Sequence, residues 1–433
     1  MSDHPDFALE VFQNEYLPED GQTVNAVVTV TASGADAAAA RAEAAEIIVI
    51  DCSGSMNYPP AKISAARQAT AAAIDTLRDG VSFAVVAGNH EASMVYPGDQ
   101  RLVAATGQTR AEAKAAVARL GAEGGTAIGK WLTLANALLR SRPAAIRHVI
   151  LLTDGKDEHE TGVALQAALA ACAGNFSCDC RGIGTDWVVN ELRQIASALL
   201  GTVDIVAEPD RLAADFQSMT EAAMGKAVAD VALRVWTPQA AVVEFVKQVM
   251  PEVADLSAKR APVSAQVGDY PTGAWGNESR DYHVCVDVPA KPVGDEMLAA
   301  RVSVVLPAAD GSTTVLAQGL VRAVWTDDAG LSTRINPAVA HYTGQAELAQ
   351  AIQDGLEARK SGDVDVATDK LGRAVALATE SGNKAVAELL DRVVDIDDAA
   401  TGKVRLKADV DDADEMALDS RSTKTVRVGG SSE

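Results

Sequence analysis

The chain has 433 residues and 48% apolar content, which is enough for two or three domains with their own cores. Its net charge of −22 argues against nucleic acid or an anionic membrane as the main partner, because phosphate recognition needs a basic surface. Five cysteines are an odd number for a disulfide scaffold, residues 1–10 lack a basic-then-apolar leader, and no apolar run reaches the roughly 18 residues that span a bilayer, so the expected location is the cytoplasm.

Two strand-like runs come first, at 7–12 and 24–30, separated by the turn-rich Leu17-Pro18-Glu19-Asp20-Gly21. An Ala-rich connector fills 32–45. Ile47-Ile48-Val49-Ile50 then packs four branched apolar residues in a row, the mark of a strand covered on both faces. Helical periodicity follows at 61–78, strands at 82–87 and 92–96, and helices at 109–119 and 128–140. A strand at 147–153, a helix at 160–172, a strand at 176–183, a helix at 187–199, a strand at 203–206 and a helix at 210–224 complete the alternation. This pattern predicts an α/β domain over 46–225: a doubly wound, Rossmann-like, mainly parallel sheet with helices on both faces.

After residue 225 the helices stop. Strand patterns at 228–236, 282–288, 300–306 and 313–325 predict an antiparallel region over 226–330. Together with the strands of 1–45 it reads as one β-sandwich interrupted by the inserted α/β domain. Residues 331–395 read as a helical hairpin with a third helix at 384–394, turning at Lys360-Ser361-Gly362-Asp363. Over 396–433 apolar residues thin out and acidic ones cluster, which predicts a flexible acidic tail.

Three loops carry the chemistry. Asp51-Cys52-Ser53-Gly54-Ser55 leaves the carboxyl end of the buried strand, where open α/β sheets bind ligands. Gly124-Gly125-Thr126 precedes the helix at 128, and Thr153-Asp154-Gly155 closes the strand at 147–153. All three lie on the same side of a parallel sheet, so Asp51, Ser53, Ser55, Thr126 and Asp154 can converge. Five oxygen donors without His or Cys suit a hard divalent cation, Mg²⁺ or Mn²⁺. Two carboxylates and three neutral hydroxyls leave such an ion incompletely neutralised and open to an anionic ligand.

On these residues the stretch 46–225 resembles a von Willebrand factor A domain. Asp51-x-Ser53-x-Ser55, Thr126 and Asp154 match all five positions of that family's metal-ion-dependent adhesion site, and Arg181-Gly182-Ile183-Gly184-Thr185-Asp186 resembles its fifth strand and following loop. The resemblance implies that the serines and threonine bind Mg²⁺ directly or nearly so. It also implies that the aspartates bind directly or through water, and that a protein partner's Asp or Glu fills the open position. The flanking sandwich and hairpin resemble intracellular bacterial members. The implied function is a non-enzymatic, Mg²⁺-dependent protein-binding module, a scaffold or adaptor.

Rival readings stand beside this one. Asp51, Ser53 and Ser55 could cap the following helix. Asp51 could be the nucleophile of a Mg²⁺-dependent phosphohydrolase, although Ser53 occupies the place of the second Asp and neither Lys130 nor Lys156 fits a pattern. The chain could be an adaptor for an ATPase machine; it holds no Gly-x-x-x-x-Gly-Lys-Ser/Thr loop of its own. Cys172, Cys178 and Cys180, with His159 nearby, read as buried core thiols before a metal site. His159 reads as a solvated helix start, and His148 has no role on sequence grounds. Thr423 and Thr425, beside basic residues, are candidates for phosphorylation and docking of a phosphothreonine-reading domain, against the plain alternative of an unmodified tail.

Overall fold

The chain opens with β1 (Asp6–Gln13), β2 (Tyr16–Leu17) and β3 (Thr23–Ser33), the last rich in β-branched Val and Thr, in the computed structural model, which describes residues 4–308 and 312–427. The alternating region follows. It comprises α1 (Asp36–Ala39), β4 (Ala44–Asp51), α2 (Ala61–Thr76), β5 (Ser82–Gly88), β6 (Ala92–Tyr96), β7 (Val103–Ala104), α3 (Gly107–Val117) and α4 (Ile128–Leu139). It continues through β8 (Ile146–Thr153), α5 (Gly162–Cys172), β9 (Ser177–Ile183), α6 (Val189–Ala198), β10 (Val203–Val206) and α7 (Leu212–Met224). Residues Ala35–Ala229 form one compact unit, and Pro5–Gly34 with the chain from Asp230 onward form a second.

The first unit is built on one sheet in the order β10-β9-β8-β4-β5-β6, with β7 also on β5. β4 pairs in parallel with both β5 and β8, and every one of its residues is buried. Its side chains alternate between faces. Ile48 and Ile50 share a core with Ile63, Ile74, Val117 and Phe216 from α2, α3 and α7. The opposite face takes α4, whose Trp131 sits so close to Gly88 that a Cβ there would lie 2.3 Å from its ring. A strand loaded on both faces cannot alternate in polarity, which is why the apolar run at 47–50 is unbroken.

In the second unit the chain adds β11 (Val228–Trp236), β12 (Val242–Met250), β13 (Ala254–Asp255), β14 (Ala261–Pro262), β15 (Val267–Trp275), β16 (Glu278–Asp287), β17 (Glu296–Pro307) and β18 (Thr313–Trp325). They form two sheets, β1-β3-β16-β12-β13 and β14-β15-β11-β17-β18-β2. The amino-terminal strands therefore contribute to both: β3 pairs along its length with β16, and the short β2 lies parallel to the end of β18. After α8 (Ala329–Ser332), the long helices α9 (Pro337–Ser361) and α10 (Val364–Ser381) form the hairpin, turning at Gly362 with φ +82°, and α11 (Lys384–Val393) follows. Gly at a left-handed helix end is the standard stop.

The expected flexible tail is where the structure departs from the sequence reading. Residues 394–427 are folded: β19 (Val394–Asp398) and β20 (Lys403–Leu406) form a hairpin, and α12 (Asp412–Arg421) packs back on the helices. The acidic residues that suggested a solvated tail find basic partners, Glu415 on Arg359 at 2.6 Å and Asp414 on Arg392 at 3.0 Å, while Ala417 and Leu418 bury the apolar face. Thr423 and Thr425 are half-buried and run alongside the chain after β12. The Val253 amide donates to the Thr423 carbonyl at 2.8 Å, and the Thr425 hydroxyl donates to the Val249 carbonyl at 2.6 Å. A kinase would reach Thr425 only after this hydrogen bond opened. The last part of the expected tail, 428–433, lies outside the described residues.

Candidate metal centre

The chain leaves β4 toward β5 on one side, and β8 flanks β4 on the other. The crevice at the carboxyl ends of β4 and β8 is thus the topological switch point, where such sheets hold ligands. Register sets Ile50 opposite Leu152, so the loops after Asp51 and Thr153 begin side by side. The Thr153 hydroxyl donates to Asp51 Oδ2 at 2.6 Å, and the Ser53 amide donates to Oδ1 at 2.7 Å. The Ser53 and Ser55 hydroxyls are 2.9 Å apart, and Ser55 donates to Asp154 Oδ1 at 2.6 Å.

Thr126 arrives on the third loop, which is tied to the first by backbone bonds: Glu123 amide to Cys52 carbonyl at 2.7 Å, Gly54 amide to Gly124 carbonyl at 2.9 Å. Gly124 sits at φ +80°, a conformation that favours glycine. Gly125 leaves room for the His159 ring, which a Cβ would meet at 1.9 Å. His159 grips Thr126 from both sides: its Nδ1 accepts from the Thr126 amide at 3.2 Å, and its own amide donates to the Thr126 carbonyl at 2.9 Å. The hydroxyls of Thr126 and Ser55 lie 3.4 and 3.5 Å from the point where a Cβ on Gly155 would stand, so both flank one small space. The structure therefore brings Asp51, Ser53, Ser55, Thr126 and Asp154 together.

The helix-cap alternative fails. Neither the 3₁₀ turn at Gly54–Asn57 nor α2, which starts behind Pro60, receives a side-chain cap from these residues.

The donor set fits a hard cation. Asp51 is fully buried, and burial pushes its carboxyl up to about 6 against the lowering effect of the Ser53 and Thr153 hydrogen bonds. A buried carboxylate held only by neutral donors gains from a neighbouring positive charge. Among the described residues no group of three or more His, Cys, Asp or Glu side chains is disposed to hold a metal, so a cation here would depend on the three hydroxyls. Cys52, Cys172, Cys178 and Cys180 are buried thiols; burial pushes Cys52 up to about 12, far from a reactive thiolate.

Four participants escaped the sequence reading. Lys62, in the first turn of α2, donates to Asp154 Oδ2 at 2.7 Å and to Asp186 Oδ2 at 3.0 Å. Its one sequence signal is a lone lysine beside the apolar stripe of Ile63, Ala65 and Ala66. His159, classed by pattern as a solvated helix start, is exposed but organises Thr126. Asp157 and Glu160 on the same loop accept from the Ile128 and Gly129 amides, capping α4 where its own Ala127 cannot.

Sequence profiles match the chain in two places, the von Willebrand factor type A domain at 45–205 and the von Willebrand factor type A C-terminal domain at 376–422. No protein of curated function matches it. Among solved structures, a von Willebrand factor type A protein from Catenulispora acidiphila is 55% identical, with a TM-score of 0.94 over 98% of both chains. The ArnB paralog VWA2 from Sulfolobus acidocaldarius shares the fold at 12% identity, with a TM-score of 0.60 over 96% of this chain and 98% of that one. A full-length relative at more than half identity, with a matching domain profile over the α/β sheet, leaves one conclusion: the chain belongs to the von Willebrand factor type A family.

Proposed function

We propose that the protein is a non-enzymatic, Mg²⁺- or Mn²⁺-dependent protein-binding module that works in the cytoplasm as a scaffold or adaptor. The observation that carries this reading is the convergence of two buried carboxylates and three hydroxyls at the switch point of the sheet. Family membership supports it, since von Willebrand factor type A domains commonly bind proteins. These residues would hold a divalent ion, which would supply an electrophilic position for a carboxylate of a partner's Asp or Glu. Ser53, Ser55 and Thr126 would orient oxygen lone pairs toward the ion, while Asp51 and Asp154 supply negative charge. The phosphohydrolase alternative gains nothing from the geometry. Both Asp51 oxygens are engaged by Ser53 and Thr153, and Ser53 stands where a general acid would be needed.

Calorimetric titration of Mg²⁺ into the full chain tests the site. Wild type should bind at micromolar to millimolar levels, and a variant carrying both Asp51→Ala and Ser53→Ala should show no binding heat; equal binding by the two would remove the site from consideration. An affinity pull-down with and without EDTA, repeated with Asp51→Ala, should then lose the same partner in both conditions. An ATPase among those partners would favour the adaptor role in an ATPase machine.

A further inference from the structure

A cation already stands beside the metal ligands. The Lys62 side chain is only 6% exposed and Asp154 is fully buried, so their 2.7 Å ion pair is shielded from water. The second partner, Asp186, is 70% exposed and comes from the loop after β9. The turn before it is shaped around the lysine: Gly184, at φ +73°, places its missing Cβ 3.2 Å from Lys62 Cε, so a side chain there would crowd the stem. The charge is unevenly placed. Asp154 has both oxygens committed, Oδ1 to the Ser55 hydroxyl and Oδ2 to the ammonium. Asp51 is engaged by Ser53 and Thr153, both neutral donors.

We infer that Lys62 is a resident counter-charge that competes with the divalent ion for Asp154 and so sets how tightly the site holds metal. This rests on the proposed metal-binding reading. A buried ammonium neutralises half of the site's carboxylate charge and repels an incoming cation across a short, poorly screened distance. Asp186 acts from the opposite side. As the ammonium's second acceptor it draws positive charge away from Asp154, which makes the site more hospitable to metal. Lys62 is thus a positioning residue for Asp154, and the pair Lys62–Asp186 tunes affinity without touching the partner.

The two substitutions therefore have opposite signs. Lys62→Met keeps the length and apolar stem but removes the charge, and should tighten Mg²⁺ and Mn²⁺ binding about tenfold. Asp186→Asn should weaken binding about threefold by leaving the full ammonium charge on Asp154. Calorimetric titration of the full-length proteins with MgCl₂ and with MnCl₂ reads both. Melting temperature in EDTA and in Mg²⁺ adds a readout that simple packing would not split. Lys62→Met should melt lower than wild type in EDTA, where Asp154 is buried and unpaired, and recover most of the difference in Mg²⁺. A wild type that binds while Lys62→Met binds equally or more weakly overturns the inference. So does a Lys62→Met melting loss of the same size in EDTA and Mg²⁺. If Lys62→Met does not fold, Asp186→Asn decides, and unchanged affinity there overturns it. Absence of binding by wild type and both variants sinks the metal site itself, whereas binding by Lys62→Met alone supports the inference in its strongest form.

Discussion

His148 carries no sequence signal, yet it joins three neighbouring strands through charge. Its Nδ1 lies 2.8 Å from Glu46 Oε1 on β4 and its Nε2 lies 3.0 Å from Asp179 Oδ2 on β9. Burial works to lower its pKa, but the Glu46 charge and the Asp179 hydrogen bond prevail and push it up to about 10. Burial likewise opposes ionisation of Asp179, whose pKa the His148 hydrogen bond nevertheless holds well below the usual carboxylate range. His148→Leu should cost about 3–5 kcal/mol in urea denaturation at neutral pH, because it leaves Glu46 buried and unpaired. The sign with pH follows from the raised value. The stabilisation from His148 is fully present below its unfolded value of about 6.5 and drains away as pH rises through about 10. The stability gap between wild type and His148→Leu should narrow over that window; a gap constant across it would mean that His148 is neutral in the folded protein.

At the scale of elements, the site is assembled by loops rather than by the strands that present them. The β4 and β8 ends bring Asp51 and Asp154 into place through parallel register, but Thr126 precedes a helix and depends on its neighbours' backbone. The 154–161 loop supplies that support through His159 and caps α4 through Asp157 and Glu160. Burial, then the hydrogen bond and charge of Glu160, push Asp157 up to about 8, as expected of two acids sharing one helix end. His159→Ala should leave the fold intact, since the ring is exposed, yet weaken Mg²⁺ affinity about tenfold, in line with other residues that orient metal ligands. Calorimetry alongside circular dichroism checks both halves; unchanged affinity would show that Thr126 holds its place unaided. α12 teaches the complementary lesson. Its acidic residues read as a solvated run because their partners, Arg359 and Arg392, lie more than twenty residues away in the chain.

For the whole molecule, the informative feature is where the α/β unit enters and leaves. Ala35, Ala38 and Ala39 at its start pack with Ala227 at its end in one small apolar cluster. Its termini therefore meet, as they must if the unit is inserted between two strands of another fold. A fragment covering 35–229 should then fold alone, melt cooperatively and bind Mg²⁺ with an affinity within about threefold of the full chain. Near- and far-ultraviolet circular dichroism with calorimetry would check this, and a fragment that is unfolded or binds no metal while the full chain does would show that the unit needs its host. The acidic net charge belongs to this scale too. It sets what the surface attracts, and it left the fold unread.

The sequence by itself determined the strand-helix alternation of 46–225, the covered central strand and the three loops with their five oxygen donors, because each is written in local periodicity and in residue type at a strand end. Local alternation marked strands on both sides of this region, but the pairing of β3 with β16 and of β2 with β18 joins residues far apart in the chain and was settled by tertiary structure. Tertiary structure alone decided the partners. Lys62 beside Asp154, His159 under Thr126, His148 between Glu46 and Asp179, and the acidic helix on its arginines are all contacts between residues far apart in the chain. A charged side chain looks alike in sequence whether it meets water or a buried counter-charge, and only the packed chain distinguishes the two.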